Sequence, residues 1–165
     1  MRGRMILASA VVAACGAVAS AQPFNFVVQP QQEVPPNNTN AAGSAQLLYN
    51  DAANTFNIDV QVFGIAINQI TGFHIHNAPA GVNGPIVIAL DALGGQWVPD
   101  GQGISLTMNN VSIGNFEPQL FSGNLYFNLH TQAFPGGQIR GQIIPAPASL
   151  ALLGLGGLVA TRRRR

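Results

Sequence analysis

Gly72-Phe73-His74-Ile75-His76-Asn77 alternates apolar and polar side chains, and this alternation decides the fold class. On an extended strand, residues two apart share a face. Phe73 and Ile75 therefore point toward a core, and His74 and His76 stand side by side on the opposite face. The third and last histidine, His130, lies in Leu125-Tyr126-Phe127-Asn128-Leu129-His130-Thr131. The same period turns Leu125, Phe127 and Leu129 inward and Tyr126, Asn128 and His130 outward. Gln138-Ile139-Arg140-Gly141-Gln142-Ile143 repeats the pattern, with Gln138, Arg140 and Gln142 outward. If these three strands are neighbours, one surface carries three imidazoles, a guanidinium and several amides.

The surrounding chain reads the same way. Residues 55–63 set Ile58, Val60 and Val62 against Asn57, Asp59 and Gln61, the signature of a half-buried antiparallel strand. Shorter strands are predicted at 24–28, 45–49, 86–90 and 104–108, with a hairpin turn at 50–54. Residues 77–85 are rich in Gly, Pro and Asn and read as a loop, and residues 94–103, which hold the sole tryptophan, Trp97, read as another. Glu117-Pro118 opens one predicted helical turn over 116–121. Short strands separated by turn signals predict an all-β fold, a Greek-key-like antiparallel sandwich of seven or eight strands.

Both ends read as address labels. Arg2 and Arg4 precede an apolar run over 5–18, and Ala19-Ser20-Ala21 has the small-x-small form of a signal peptidase site. Residues 1–21 are thus expected to be a secretory signal helix cleaved after Ala21, leaving a domain over 22–144. Val12-Ala13-Ala14-Cys15 also has the outline of a lipoprotein box, which would make Cys15 an acylation site. The C-terminal segment 145–165 starts with Pro145-Ala146-Pro147, continues as an uncharged apolar run and closes on Arg162-Arg163-Arg164-Arg165. As a helix, residues 148–161 would span ~21 Å, against a hydrocarbon core of ~30 Å. The arginines would stay on the cytoplasmic side. A plain transmembrane anchor with a basic stop is the alternative to a sorting tail.

Charge narrows the partners. All seven basic residues are arginine, and only Arg140 falls within 22–144. That one cation stands against six acids, a net charge of −5. Such a domain has no phosphate-neutralising surface, so nucleic acid is not an expected partner. Arg140 is expected to pair with an acid, Glu33 first, or to contact an anion. With the leader removed the chain has no cysteine, so neither disulfides nor thiol chemistry is available. A domain of about 120 residues is large enough to be held by its core alone.

Several motifs resemble the CHRD (chordin) domain. They are Gln32-Glu33-Val34-Pro35-Pro36, His74-Ile75-His76-Asn77-Ala78-Pro79 with Asn83-Gly84-Pro85, Tyr126-Phe127-Asn128-Leu129-His130-Thr131, and Pro135-Gly136-Gly137-Gln138-Ile139-Arg140-Gly141-Gln142. Gln138 departs from the pattern, where Glu is more usual. The resemblance implies an extracellular all-β domain, mostly without assigned activity. The tail resembles a PEP-CTERM sorting signal, with Ala146 in place of the usual acid. That implies an exosortase-type membrane protease as a partner, beside signal peptidase. More distantly, the His-x-His strand resembles the copper-binding strand of copper/zinc superoxide dismutases, and His130 and Arg140 follow in the order of that fold's later ligand and anion-steering arginine. A fourth, bridging histidine, a zinc loop and a disulfide are missing.

Two function classes remain open. One is an exported, non-catalytic surface or matrix module that binds a protein or polysaccharide, with Arg140, Glu33, Asn128 and Gln138 forming a structural hydrogen-bond network. The other is a metal-binding or redox protein in which His74, His76 and His130 hold copper or another transition metal. Nucleophilic hydrolysis finds no motif: there is no Gly-x-Ser-x-Gly, and no serine accompanies the histidines. The protein is not expected to be an enzyme.

Overall fold

A computed structural model describes residues 21–145. The elements in chain order are β1 (Ala21–Val28), β2 (Ala42–Asn50), β3 (Thr55–Phe63), β4 (Ile70–Asn77), β5 (Ile86–Ala89), β6 (Trp97–Asp100), β7 (Gly103–Ser112), α1 (Glu117–Phe121), β8 (Leu125–Thr131) and β9 (Ile139–Ile143). They form two antiparallel sheets, β1-β2-β3-β7-β6 and β5-β4-β8-β9. The chain crosses between the sheets after β3, β5 and β7. These crossings bring β4 and β8 together at the centre of the smaller sheet, although three strands separate them in sequence.

Alternation fills the space between the sheets. Phe56, Ile58, Val60 and Val62 of β3 face Phe73 and Ile75 of β4 and Leu125, Phe127 and Leu129 of β8 within one core. Full burial of such a side chain contributes about 1.5–3 kcal/mol. In a cysteine-free domain this apolar layer is the main source of stability. The ninth strand is β6, in a stretch that the sequence predicts to be loop. Its Pro99 is tolerated by its position in the sheet. β6 is an edge strand, where a residue without an N–H costs no ladder bond. It delivers Trp97 to the core, edge-on to Phe73 at 5.5 Å between ring centroids.

The other face of the smaller sheet is not the solvated surface that alternation predicts. Tyr126, Asn128, Arg140 and Gln142 are all buried. The segments 29–37 and 78–85 fold over them. Gln29 and Arg140 exchange backbone hydrogen bonds of 2.9 and 3.3 Å, which clips the end of β1 to β9. Asn37 Nδ2 donates to the Gln138 carbonyl at 3.0 Å, and Asn83 Nδ2 donates to the Val34 carbonyl at 2.8 Å, joining the two segments to the sheet and to each other.

Ala21 opens β1 opposite Asn50, and Pro145 follows β9. The expected signal helix, Cys15, the expected apolar helix of the tail, Pro147 and Arg162 lie outside the described residues. Among the described residues no helix is long and apolar enough to cross a membrane.

Candidate metal centre

The register of β4 on β8 sets the site. Gly72 stands opposite His130, His74 opposite Asn128 and His76 opposite Tyr126. His130 is therefore diagonal to His74, within reach of a long side chain across an antiparallel pair. Ring centroids lie 5.7 Å apart for His74 and His76, 5.1 Å for His74 and His130, and 5.8 Å for His76 and His130. One nitrogen from each ring lies within 4.8 Å of the others.

Each imidazole is held by one nitrogen and left bare at the other. His74 Nε2 meets Asp91 Oδ2 at 3.1 Å, His76 Nδ1 meets the Gly84 carbonyl at 3.0 Å, and His130 Nδ1 meets the Pro135 carbonyl at 2.9 Å. A carbonyl or carboxylate oxygen only accepts, so in each neutral ring the held nitrogen carries the proton. That leaves lone pairs on His74 Nδ1, His76 Nε2 and His130 Nε2. All three atoms are buried without a hydrogen-bond partner. A buried unpaired polar atom costs about 1–3 kcal/mol, a cost that one shared ion between the three would relieve. The arrangement could hold a metal ion; in metal sites the outer nitrogen of a ligating histidine is likewise oriented by a carbonyl or carboxylate.

The electrostatics favour the neutral form of two of these rings, His76 and His130. Burial pushes His76 below its ordinary pKa; the Gly84 carbonyl opposes this, while His130, His74 and Arg140 reinforce it. Burial also lowers His130, opposed by the Pro135 carbonyl. A metal needs the neutral imidazole, so both are ready ligands at neutral pH.

Gly72 makes room for His74. A Cβ there would lie 2.9 Å from His74 Cε1, 3.1 Å from His74 Nε2 and 3.2 Å from Asp91 Oδ2. Any side chain at this position would displace the His74–Asp91 pair.

On the far side of His76 lies a stack. The His76 ring rests on Tyr126, 4.9 Å between centroids and 12° between planes. Arg140 Cζ sits 3.5 Å from the Tyr126 ring centre, a cation–π contact. Arg140 donates to the Val82 carbonyl at 2.9 Å, the Pro79 carbonyl at 3.1 Å and Gln142 Oε1 at 2.9 Å. Gln142 Nε2 donates in turn to Ala78, Gly123 and Leu125 carbonyls. Tyr126 Oη accepts from Gly84 N at 3.0 Å. These three residues hold the segment 78–85 and, through it, the Gly84 carbonyl that orients His76.

The family is legible at this point. The family model of the CHRD domain matches residues 24–143. The chain belongs to the CHRD domain family. No curated protein and no solved structure matches it.

The expected fork between Arg140 and Glu33 does not form: among the described residues the one contact between a basic and an acidic side chain is His74 with Asp91. The carbonyls of segment 78–85 occupy the guanidinium instead. Glu33 is buried, and burial pushes its carboxyl up to about 7, against the opposing pull of the Arg140 charge and the Asn128 amide. Asn128 sits between His74 and Arg140 across the sheet. Gln138 stands apart from the imidazoles and accepts from Thr131 Oγ1 at 2.7 Å. Sequence reasoning missed Asp91 and the Gly84 and Pro135 carbonyls. The Gly-Pro and Pro-Gly dipeptides that carry the two carbonyls marked turns, but nothing local marked Asp91.

Proposed function

We propose that this protein is an exported CHRD module that holds a transition-metal ion, copper foremost, between His74, His76 and His130, without acting as an enzyme. The observation that carries the reading is the convergence of three bare, buried ring nitrogens on imidazoles whose other nitrogen is already held. Imidazole suits copper, zinc, iron and nickel, and affinity among divalent first-row ions peaks at copper. The resemblance of the His-x-His strand to the copper-binding strand of copper/zinc superoxide dismutases is in keeping with the same metal. Dismutation itself draws no support: the chain has three histidines and therefore none to bridge a second ion, and buried Arg140 directs its donors at carbonyls rather than at an incoming anion.

The leader ending at Ala21 and the tail with Pro145, Pro147 and Arg162 support export, with signal peptidase and an exosortase-type membrane protease as processing partners. In this reading the domain works at the outer surface or outside the cell. A second reading is a metal-free module that binds a protein or polysaccharide. It is favoured by the cleft of about 390 Å³ between segments 31–36 and 80–81, which Glu33, Arg140 and Gln142 also line.

Metal analysis of protein purified without a polyhistidine tag tests the choice. Stoichiometric copper or zinc, and a melting temperature raised by added ion, are expected. Both should vanish when His74 and His130 are replaced by Gln. A melting temperature that copper, zinc and nickel leave unmoved overturns the metal reading and leaves the binding module.

A further inference from the structure

Glu33 is the only buried acid among the described residues, 4% exposed. The segment 29–37 carries it onto the same sheet face as the imidazoles. A Cβ on Gly137 would lie 2.7 Å from Glu33 Oε1 and 2.7 Å from both polar atoms of the Asn128 amide. The bare Cα of Gly137 thus forms one wall of a pocket shared by carboxyl and amide. Glu33 Oε1 has no hydrogen-bond partner. Asn128 is the cross-strand neighbour of His74 on one side and Arg140 on the other. The carboxyl therefore lies one side chain from the candidate ligand set, with the Asn128 amide as its polar neighbour.

The charge of the centre gives this carboxyl a role. Three neutral imidazoles leave a divalent ion with its full charge. Arg140 already places one cation on this face, and uncompensated buried charge is strongly unfavourable. The segments 29–37, 78–85 and 132–138 contain no other titratable residue. On the strands beneath, β9 contributes Arg140, β8 Tyr126 and His130, and β4 His74 and His76. Asp91, beyond β5, is engaged by His74. Glu33 is the remaining acid.

We propose that Glu33 is the counter-charge of the three-histidine centre, giving up its proton to solvent when a divalent ion binds there. The inference rests on the metal-binding reading. Only the carboxyl O–H bond breaks, and the proton passes to the buffer. The face then gains one net positive charge rather than two. Burial holds the ion-free carboxyl protonated up to about pH 7, so the coupling operates near neutrality. By linkage, whatever the ion does to the proton on Glu33, the proton does to the ion.

Zinc(II), which undergoes no redox change, is titrated calorimetrically into wild type and Glu33→Gln at about pH 6.5 in buffers of different ionisation heat. Wild type is expected to release about one proton more than E33Q, and E33Q to bind about tenfold more weakly at about pH 8, the two converging as pH falls. In wild type alone, zinc should also abolish the infrared carbonyl band of the protonated carboxyl. This readout needs no variant. Identical proton counts, identical affinities across pH and an unchanged band would overturn the counter-charge and leave the metal centre standing. Failure of both proteins to bind zinc or copper would overturn the centre and the counter-charge together.

Discussion

His76 lies flat against Tyr126, with 12° between the ring planes, and the Tyr126 hydroxyl accepts a hydrogen bond from the same Gly84 whose carbonyl holds His76 Nδ1. One tyrosine thus fixes both the plane of the His76 ring and the loop that orients it. Tyr126→Phe keeps the stack and removes the acceptor for Gly84 N. A loss of about 1–1.5 kcal/mol in chemical unfolding is expected, with metal still bound but more weakly. Unchanged stability would show that the hydroxyl does not hold the loop.

Arg140 is a loop clamp rather than an ion-pair partner. Arg140→Met should cost about 3–5 kcal/mol, because a packed cation is lost and several carbonyls are left unpaired. The acceptors the structure gives it are neutral oxygens, so the loss should hardly change between low and high salt. Urea unfolding at two ionic strengths checks both points. A penalty that disappears in salt would restore an ion pair.

Gly72→Ala is a steric test of His74 as a candidate ligand. The added methyl would force His74 and the Asp91 carboxylate apart. About 1–3 kcal/mol of stability should be lost, typical of overpacking, and metal uptake should fall further than stability does. Retention of full uptake would mean that His74 is not set by Asp91.

Two pH dependences of opposite sign are expected in the metal-free protein. The folded pKa values of His76 and His130 are depressed. The unfolded chain then binds more protons, so their contribution is complete above about pH 6.5 and is lost as pH falls toward the folded values. Glu33 is raised to about 7, so here the folded state binds the extra proton. Its contribution is complete below the ordinary carboxylate pKa and is lost as pH rises through about 7. Glu33→Gln should therefore leave stability nearly unchanged at about pH 5 and raise it by roughly 3 kcal/mol at about pH 8. Denaturant midpoints across that range provide the measurement, and equal midpoints for both proteins at the higher pH would contradict it.

The all-β class, the inward apolar rows and the shared face of His74 and His76 were legible in the sequence. Strand alternation is a local property with a period of two, and it survives whatever the strands pack against. It also put His130 and Arg140 on polar rows. It could not bring those rows together, because the pairing of β4 with β8 depends on crossings between sheets. It missed β6, since Pro99 is acceptable only at an edge and edges exist only in a finished sheet. Nor could it tell that the polar face is roofed. The contacts that cover it run from Arg140 to Pro79 and Val82, from Gln142 to Ala78 and Gln32, and from Asn37 to Gln138. All join residues distant in sequence. That roof turns polar residues expected in water into buried ones, gives Arg140 carbonyls instead of Glu33, and shifts the Glu33, His76 and His130 pKa values. Burial is a property of the neighbours a side chain acquires, and only the tertiary structure supplies them.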